Sequence, residues 1–224
     1  MRLVVFDVDG TLIDSQDEIV QSMNAGLRGA GLPAMDRRTI LSIVGLSLPV
    51  AVAHLLPAAA PQIRDRVVDG YRQHFIAARE AGHLPQLYPG ALDCLDTLAT
   101  LPGVTLGIAT GKPMRGLLSI LSAHGLSDRF ATRQTADGHP SKPHPAMLQS
   151  ALAETGVAPG RAVMVGDSSF DMAMAQSAGV LGYGVGWGFH AAPDLRAAGA
   201  VLVAPDYASL TLALLDWAEG GRDE

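Results

Sequence analysis

The chain has 224 residues, of which 48% are apolar and 17% charged, and its formal net charge is −6. This composition is typical of a globular protein with a substantial core, in one large domain or two small ones, and it excludes a disordered chain. The net charge is negative and there is no run of Lys or Arg, so we expect neither a nucleic acid nor an anionic membrane as partner.

The N-terminal residues predict a buried strand rather than a targeting segment. Arg2 is followed by only four apolar residues before the first acidic one, whereas a secretory core needs about 7–15. No apolar run approaches the roughly 20 residues of a membrane-spanning helix. A single cysteine, Cys94, excludes an intramolecular disulfide and is compatible with a reducing compartment. We therefore expect a cytoplasmic protein.

Short apolar runs alternate with helical stretches along most of the chain. The runs are rich in Val, Leu and Ile, as in strands buried on both faces of a parallel sheet, and they cover residues 3–6, 104–109, 162–165, 180–185 and 200–203. Helices are predicted over residues 90–101, 115–124, 145–155, 171–177 and 193–198. This alternation predicts an α/β fold with a Rossmann-like, doubly wound parallel sheet.

One segment, from about residue 15 to residue 84, interrupts the alternation. Apolar residues such as Ile19, Met23 and Leu27 recur there at helical spacing, and no convincing strand is present. About four helices are expected. We therefore predict an α-helical cap over residues 16–86, inserted after the first strand of an α/β catalytic core that comprises residues 1–15 and 87–224.

The first strand leads into a pair of carboxylates, in the order Asp7-Val8-Asp9-Gly10-Thr11. Ligands of open α/β sheets bind at the carboxyl ends of the strands, so Asp7 and Asp9 are candidates for a site. The alternative is an ordinary strand end with Asp in a turn.

Two further loops carry groups that suit a phosphoryl group. The second run ends in Thr110-Gly111, whose hydroxyl and backbone amide can donate hydrogen bonds, although Thr110 could instead be a helix N-cap. Lys142 precedes a proline and can supply a point charge, although it could instead be a solvated side chain beside a helix start.

A second carboxylate pair follows the run at 162–165. Asp167 and Asp171 are four residues apart, about one helical turn, and can approach the same point. The alternative is an N-capped helix with an acidic first turn.

Together these motifs place up to four carboxylates in one crevice. Two such charges at about 4 Å repel by about 4 kcal/mol at an effective dielectric constant of about 20. A cation must offset this repulsion, and Mg²⁺, which prefers oxygen ligands and binds carboxylates together with substrate phosphate, is the natural candidate.

The four motifs, in this order, resemble the haloacid dehalogenase-like hydrolase superfamily, and the helical insertion resembles the small cap of its phosphoglycolate phosphatase-like branch. The resemblance implies that Asp7 is the nucleophile and that Asp9 is the general acid and base, with its backbone carbonyl on the metal. It also implies that Thr110, Gly111 and Lys142 bind the phosphoryl group. Asp7, Asp9, Asp167 and Asp171 would form the metal site, in which Asp171 is either a ligand itself or a hydrogen-bond partner of the ligands.

The function that this resemblance implies is a Mg²⁺-dependent phosphatase, which hydrolyses a small phosphorylated metabolite such as phosphoglycolate through an aspartyl-phosphate. The dehalogenase branch lacks the second acidic residue, here Asp9. A sugar-phosphate mutase, a pyrophosphatase or a nucleotidase remains an alternative, but the cap loop at 45–48 lacks the basic residue of the mutases. A non-catalytic binding or regulatory protein is the alternative from another class.

Overall fold

A computed structural model describes residues 1–220 and contains a six-stranded sheet in which all neighbouring strands are parallel. The strands are β1 (Arg2–Phe6), β2 (Val104–Thr110), β3 (Thr132–Thr135), β4 (Ala162–Gly166), β5 (Leu181–Val185) and β6 (Ala200–Ala204). Their order is β3-β2-β1-β4-β5-β6, so the chain winds outward from β1 in both directions. This arrangement confirms the predicted doubly wound fold.

Ten α-helices lie within the described residues. They are α1 (Gln16–Gly29), α2 (Arg37–Leu41), α3 (Leu48–Leu55), α4 (Pro61–Glu80), α5 (Ala91–Ala99), α6 (Met114–Ala123), α7 (Ala146–Thr155), α8 (Ser169–Ser177), α9 (Ala192–Ala197) and α10 (Tyr207–Glu219). The first four follow β1 without an intervening strand, which confirms the predicted helical insertion. None of the described helices has the length and apolarity needed to cross a membrane.

The apolar residues of β1 alternate between two cores, one on each face of the sheet. Val4 and Phe6 belong to the core that includes α5 and α10, whereas Leu3 and Val5 belong to the core that includes α7 and α8. All four are fully buried, and burial of each such side chain contributes about 1.5–3 kcal/mol. The central strand is therefore fixed from both faces, and so is the position of the residues that follow it.

Helices α1–α4 enclose a third core, which contains Ile19, Met23 and Leu27. Helices α1 and α4 approach each other closely, since a Cβ atom added to Gly70 would lie 2.9 Å from the Cα atom of Gly26. The absence of a side chain at both positions allows this approach, because any Cβ there would meet backbone.

Two elements were not predicted from the sequence. Strand β3 consists of the polar residues Thr-Arg-Gln-Thr and lies at the edge of the sheet beside β2, so it has no apolar run to reveal it. Helix α10 buries Leu210 and Leu214 in the same core as α5, although it follows the last predicted element.

Candidate active site

The first loop of the site begins at the carboxyl end of β1. The backbone N–H of Asp7 donates to the carbonyl of Val165 (2.9 Å), which ties this residue to the end of β4. The buried Asp7 carboxylate accepts a hydrogen bond from the N–H of Val8 (2.7 Å). Gly10 then turns the chain with φ = 78°, and a Cβ atom there would lie 2.3 Å from Oδ2 of Asp167. Glycine therefore lets this loop pass directly beside the second acidic motif.

Three carboxylates converge at the ends of the neighbouring strands β1 and β4. Asp7, Asp167 and Asp171 are all buried, and one oxygen of each lies within 4.8 Å of the others. Lys142 lies among them, with its Nζ atom 3.0 Å from Asp7 Oδ2 and 2.6 Å from Asp171 Oδ1. We call these four residues the carboxylate cluster. Lys142 is only 1% exposed, so the interpretation of a solvated lysine is wrong.

Negative charge exceeds positive charge in the carboxylate cluster. Burial raises the pKa of Asp7 to about 7; the Lys142 charge opposes this shift, and the Asp171 charge adds to it. Burial, together with the charges of Asp171 and Asp7, also raises the pKa of Asp167 well above its usual range. Burial alone would lower the pKa of Lys142, but the charges of Asp171 and Asp7 outweigh it and raise that pKa. Three acidic oxygen donors with one ammonium fit a hard divalent cation such as Mg²⁺.

The Asp167 carboxylate is held in place by hydrogen bonds from two loops, one after β1 and one after β5. Its Oδ1 atom accepts a hydrogen bond from the Thr11 hydroxyl (2.9 Å), and its Oδ2 atom accepts one from the N–H of Phe189 (2.9 Å). Thr11 is itself fixed, since its carbonyl accepts hydrogen bonds from the Tyr207 hydroxyl (2.8 Å) and the Trp187 indole N–H (3.2 Å). These partners fix the orientation of the Asp167 carboxylate.

Asp171 combines the two interpretations that its sequence motif allowed. Ser168 is the N-cap of α8, and the two residues form a reciprocal capping box. The Oδ2 atom of Asp171 accepts hydrogen bonds from the Ser168 hydroxyl (2.6 Å) and N–H (3.1 Å), while its Oδ1 atom faces Lys142. Asp171 is therefore both a helix-capping residue and a member of the carboxylate cluster.

Thr110 and Gly111 lie at the end of β2, on the other side of β1. Thr110 is buried and is the last strand residue, whereas α6 begins after its N-cap Pro113; the interpretation of Thr110 as an N-cap is therefore wrong. A Cβ atom at Gly111 would lie 2.7 Å from the carbonyl oxygen of Leu46. The cap loop thus rests directly on the residues predicted to bind the phosphoryl group.

The carboxylate of Asp9 lies outside the carboxylate cluster. Its two oxygens are 2.7 and 2.8 Å from Nζ of Lys112, and Oδ1 also accepts a hydrogen bond from the Ser15 hydroxyl (2.6 Å). Three of the four predicted carboxylate side chains thus converge, whereas that of Asp9 lies beside them on Lys112 and its charge still raises the pKa of Asp7. The part that the resemblance assigns to the backbone carbonyl of Asp9 is not affected and stays a prediction.

Lys112 is a residue of the site that the sequence analysis missed. It is only 8% exposed and holds both oxygens of Asp9. The only signal in the sequence is its place directly after Thr110-Gly111, and that place does not reveal its partner.

Known proteins that resemble this chain in sequence or structure are hydrolases and phosphatases. Residues 4–185 match the family described as haloacid dehalogenase-like hydrolase. The "Probable phosphatase IndB" of Dickeya dadantii is 38% identical over 202 residues, which cover 88% of this chain and 86% of that protein. A phosphoglycolate phosphatase of Rhodospirillum rubrum is 33% identical over 216 residues, or 93% and 89% of the two chains. The crystal structure of a predicted phosphatase from Clostridium acetobutylicum has a TM-score of 0.86 at 25% identity and covers 96% of this chain and 98% of its own.

A doubly wound sheet with an inserted helical cap and acidic residues at the strand ends defines a class of hydrolases. The chain belongs to the haloacid dehalogenase-like hydrolase family. The resemblance to its phosphoglycolate phosphatase-like branch is confirmed, and so is the predicted enzyme class, since these relatives are phosphatases.

Proposed function

We propose that this protein is a Mg²⁺-dependent phosphatase that hydrolyses a small phosphate monoester, phosphoglycolate or a similar metabolite, through an aspartyl-phosphate on Asp7. The observation that carries the proposal is the buried Asp7 carboxylate, 3.0 Å from Lys142 at the end of the central strand and next to two further carboxylates. The names of the relatives support a phosphate ester as the substrate.

In the first half-reaction, an oxygen of Asp7 attacks the phosphorus atom and the bond from phosphorus to the ester oxygen breaks. Asp9 gives its proton to the departing oxygen, so the alcohol leaves uncharged. The Thr110 hydroxyl, the Gly111 amide and the Lys142 ammonium donate to the phosphoryl oxygens. Positioning and charge neutralisation of this kind supply most of the catalysis in phosphoryl transfer.

In the second half-reaction, water attacks the phosphorus atom of phospho-Asp7. Asp9, now ionised, takes a proton from this water, and the bond between phosphorus and the Asp7 oxygen breaks. Inorganic phosphate is released, and Asp7 returns as a carboxylate while Asp9 carries its proton again. The same residue therefore acts as acid and then as base.

The metal site would use the three side chains that the carboxylate cluster brings together. Asp7, Asp167 and Asp171 would hold Mg²⁺ by their carboxylates, and Asp9 would contribute its backbone carbonyl. When bound, Mg²⁺ offsets the negative charge of the carboxylates and of the phosphoryl oxygens.

The division into core and cap is part of the proposal, with residues 16–86 as the cap and residues 1–15 and 87–224 as the core. Two observations support these boundaries. Helices α1–α4 share their own apolar core. The two segments in which the chain passes between core and cap lie side by side. The N–H of Asp14 donates to the Gln86 carbonyl, and the N–H of Tyr88 donates to the Leu12 carbonyl, both at 2.9 Å.

We also propose a cytoplasmic location and a small phosphorylated metabolite, rather than nucleic acid or membrane, as the partner. The formal net charge of −6 and the buried, free thiol of Cys94 support this.

The test is phosphate release from p-nitrophenyl phosphate and from a panel of phosphorylated metabolites, with Mg²⁺ present and the substrates ranked by kcat/KM. We expect release from the aryl ester and a marked preference within the panel. Transfer of phosphate between positions of a sugar without release would favour a mutase. No turnover of any ester by the folded, Mg²⁺-loaded protein would favour a non-catalytic protein.

A further inference from the structure

A second group of charged side chains surrounds Asp9. Lys112 follows the end of β2, and its ammonium is bidentate on the Asp9 carboxylate, with side chains that are 7% and 12% exposed, respectively. An ammonium has three N–H donors. Within residues 1–220, Asp9 is the only residue that accepts hydrogen bonds from it.

Helices α1 and α4 of the cap form the wall on this side. Nζ of Lys112 lies 5.1 Å from the ring centre of Phe75, and the guanidinium carbon of Arg79 lies 5.0 Å from the same ring. Arg79 also pairs with Glu18 at 2.7 Å. The other Glu18 oxygen, Oε1, is buried and has no hydrogen-bond partner among the described residues. We call Lys112, Phe75, Arg79 and Glu18 the Lys112 pocket.

The hydrogen bonds of Asp9 impose a condition on catalysis. Both of its oxygens are held by Lys112, yet Asp9 must turn at least one of them to the ester oxygen if it is to protonate the leaving group. That movement would leave a buried ammonium with an unsatisfied donor, which is costly in a low-dielectric environment. The cost disappears if the substrate brings an acceptor of its own, and a negatively charged acceptor offsets it best.

We propose, on the basis of the function proposed above, that Lys112 selects substrates whose leaving group carries an anionic group close to the ester oxygen. The ammonium passes from Asp9 to this anion as the substrate enters. The exchange frees the Asp9 carboxylate to take up a proton from solvent and to present it to the ester oxygen. Before the exchange Lys112 lies 2.7 and 2.8 Å from the two oxygens of Asp9, and Asp9 acts at hydrogen-bond distance from the ester oxygen, so Lys112 and the ester oxygen are close neighbours. The anion therefore lies only a few covalent bonds from that oxygen, as in a short phosphorylated hydroxy acid.

A pair of matched esters tests this selection. 2-Phosphoglycolate and its amide, carbamoylmethyl phosphate, have nearly the same shape but differ in the charge of the leaving group. The wild type should prefer the acid in kcat/KM, and Lys112→Met should reduce that preference by about 10- to 100-fold, or about 1.4–2.8 kcal/mol. Lys112→Arg should retain part of it. Ethane-1,2-diol bisphosphate, which carries a second phosphate instead of a carboxylate, shows which anion Lys112 prefers.

A purely structural role for Lys112 predicts a different result. If Lys112 only positions Asp9, its loss should slow both esters by the same factor, and that outcome would overturn the selection. A wild type without preference for the acid would overturn it too. If Lys112→Met does not fold, Lys112→Gln, which can still donate to Asp9, takes its place in the same comparison.

Product inhibition gives a readout that does not depend on turnover of either ester. Glycolate should inhibit the hydrolysis of p-nitrophenyl phosphate by the wild type and lose this effect in the Lys112 variant, whereas glycolamide should inhibit neither. Hydrolysis of p-nitrophenyl phosphate by the wild type tests the phosphatase itself, so a failure of the proposed function is distinguished from a failure of the proposed selection. Equal inhibition of both enzymes by glycolate would contradict the role of Lys112.

Discussion

The carboxylate cluster and the Lys112 pocket are both buried and charged, but their charges are balanced differently. The cluster has three carboxylates and one ammonium. Around Asp9, two acidic side chains, Asp9 and Glu18, face two basic ones, Lys112 and Arg79. The cluster therefore needs a cation before its charges are neutralised. The Lys112 pocket is neutral only together with Asp9, so Lys112 needs another anionic partner before Asp9 can act.

The two regions also differ in where they are built. Every member of the carboxylate cluster belongs to the α/β core, on a loop beside a strand or helix or, for Asp171, in the first turn of α8. The Lys112 pocket combines one core residue with three residues of α1 and α4. The comparison suggests a division of labour, in which the core acts on the phosphoryl group and the contact between core and cap acts on the leaving group.

Removal of the nucleophile should have the largest effect. Asp7→Asn should lower kcat by about 10⁴- to 10⁶-fold, as is typical when a nucleophile is removed, because an amide oxygen does not attack phosphorus efficiently. Phosphate release and a thermal melt measure this. Asp14→Asn is the matched control, since Asp14 is exposed in the same loop, and it should keep full activity. Substantial activity in folded Asp7→Asn would remove Asp7 from its role.

Removal of Mg²⁺ should abolish turnover and also lower stability. A ligand at 100 times its Kd stabilises the folded state by about 2.7 kcal/mol. The melting temperature should therefore rise with Mg²⁺ and fall with EDTA, and Asp167→Asn should show a much smaller shift. Ca²⁺ should support activity poorly, because it accepts looser coordination. Full turnover in excess EDTA, with the metal content verified, would contradict the metal site.

Loss of the hydrogen bond that orients Asp167 should have the smallest effect. Thr11→Val removes the hydroxyl that donates to Oδ1 at 2.9 Å and keeps nearly the same volume. We expect a 10- to 100-fold higher Mg²⁺ concentration for half-maximal activity, about the usual loss for such a partner. Thr11→Ser retains the donor and is the control. An unchanged Mg²⁺ requirement in Thr11→Val would show that this hydrogen bond does not support the metal site.

The sequence predicted the carboxylate cluster better than it predicted the Lys112 pocket, and the reason is physical. Asp7 and Asp167 of the cluster follow apolar runs buried on both faces, so the pattern alone places them at one edge of a parallel sheet. Lys112 depends on contacts with Asp9 and with Phe75 of the cap, and sequence spacing does not reveal such tertiary contacts. Asp9 was grouped with Asp7 for its spacing, but the nearby ammonium holds its carboxylate elsewhere.

The prediction of the strands from the sequence was limited for the same reason. β1 and β4 are recognisable because both of their faces are apolar. β3 is polar and is identified only by its pairing with β2, in which Gly107 lies opposite Thr132 and Thr110 opposite Thr135. Elements that are stabilised mainly by a neighbour leave a weak pattern in the sequence.

Trapping of phospho-Asp7 in Asp9→Asn tests most directly whether the two regions act on different parts of the ester. The variant should lose about 10²- to 10⁴-fold in activity on an alkyl phosphate, because its leaving group needs the proton. With p-nitrophenyl phosphate, transfer to Asp7 should be less affected, since nitrophenolate leaves without protonation, while the water step stays slow. Rapid quench and mass spectrometry should then show more phospho-Asp7 than in the wild type. Equal loss on aryl and alkyl esters, with no adduct on Asp7, would contradict the account.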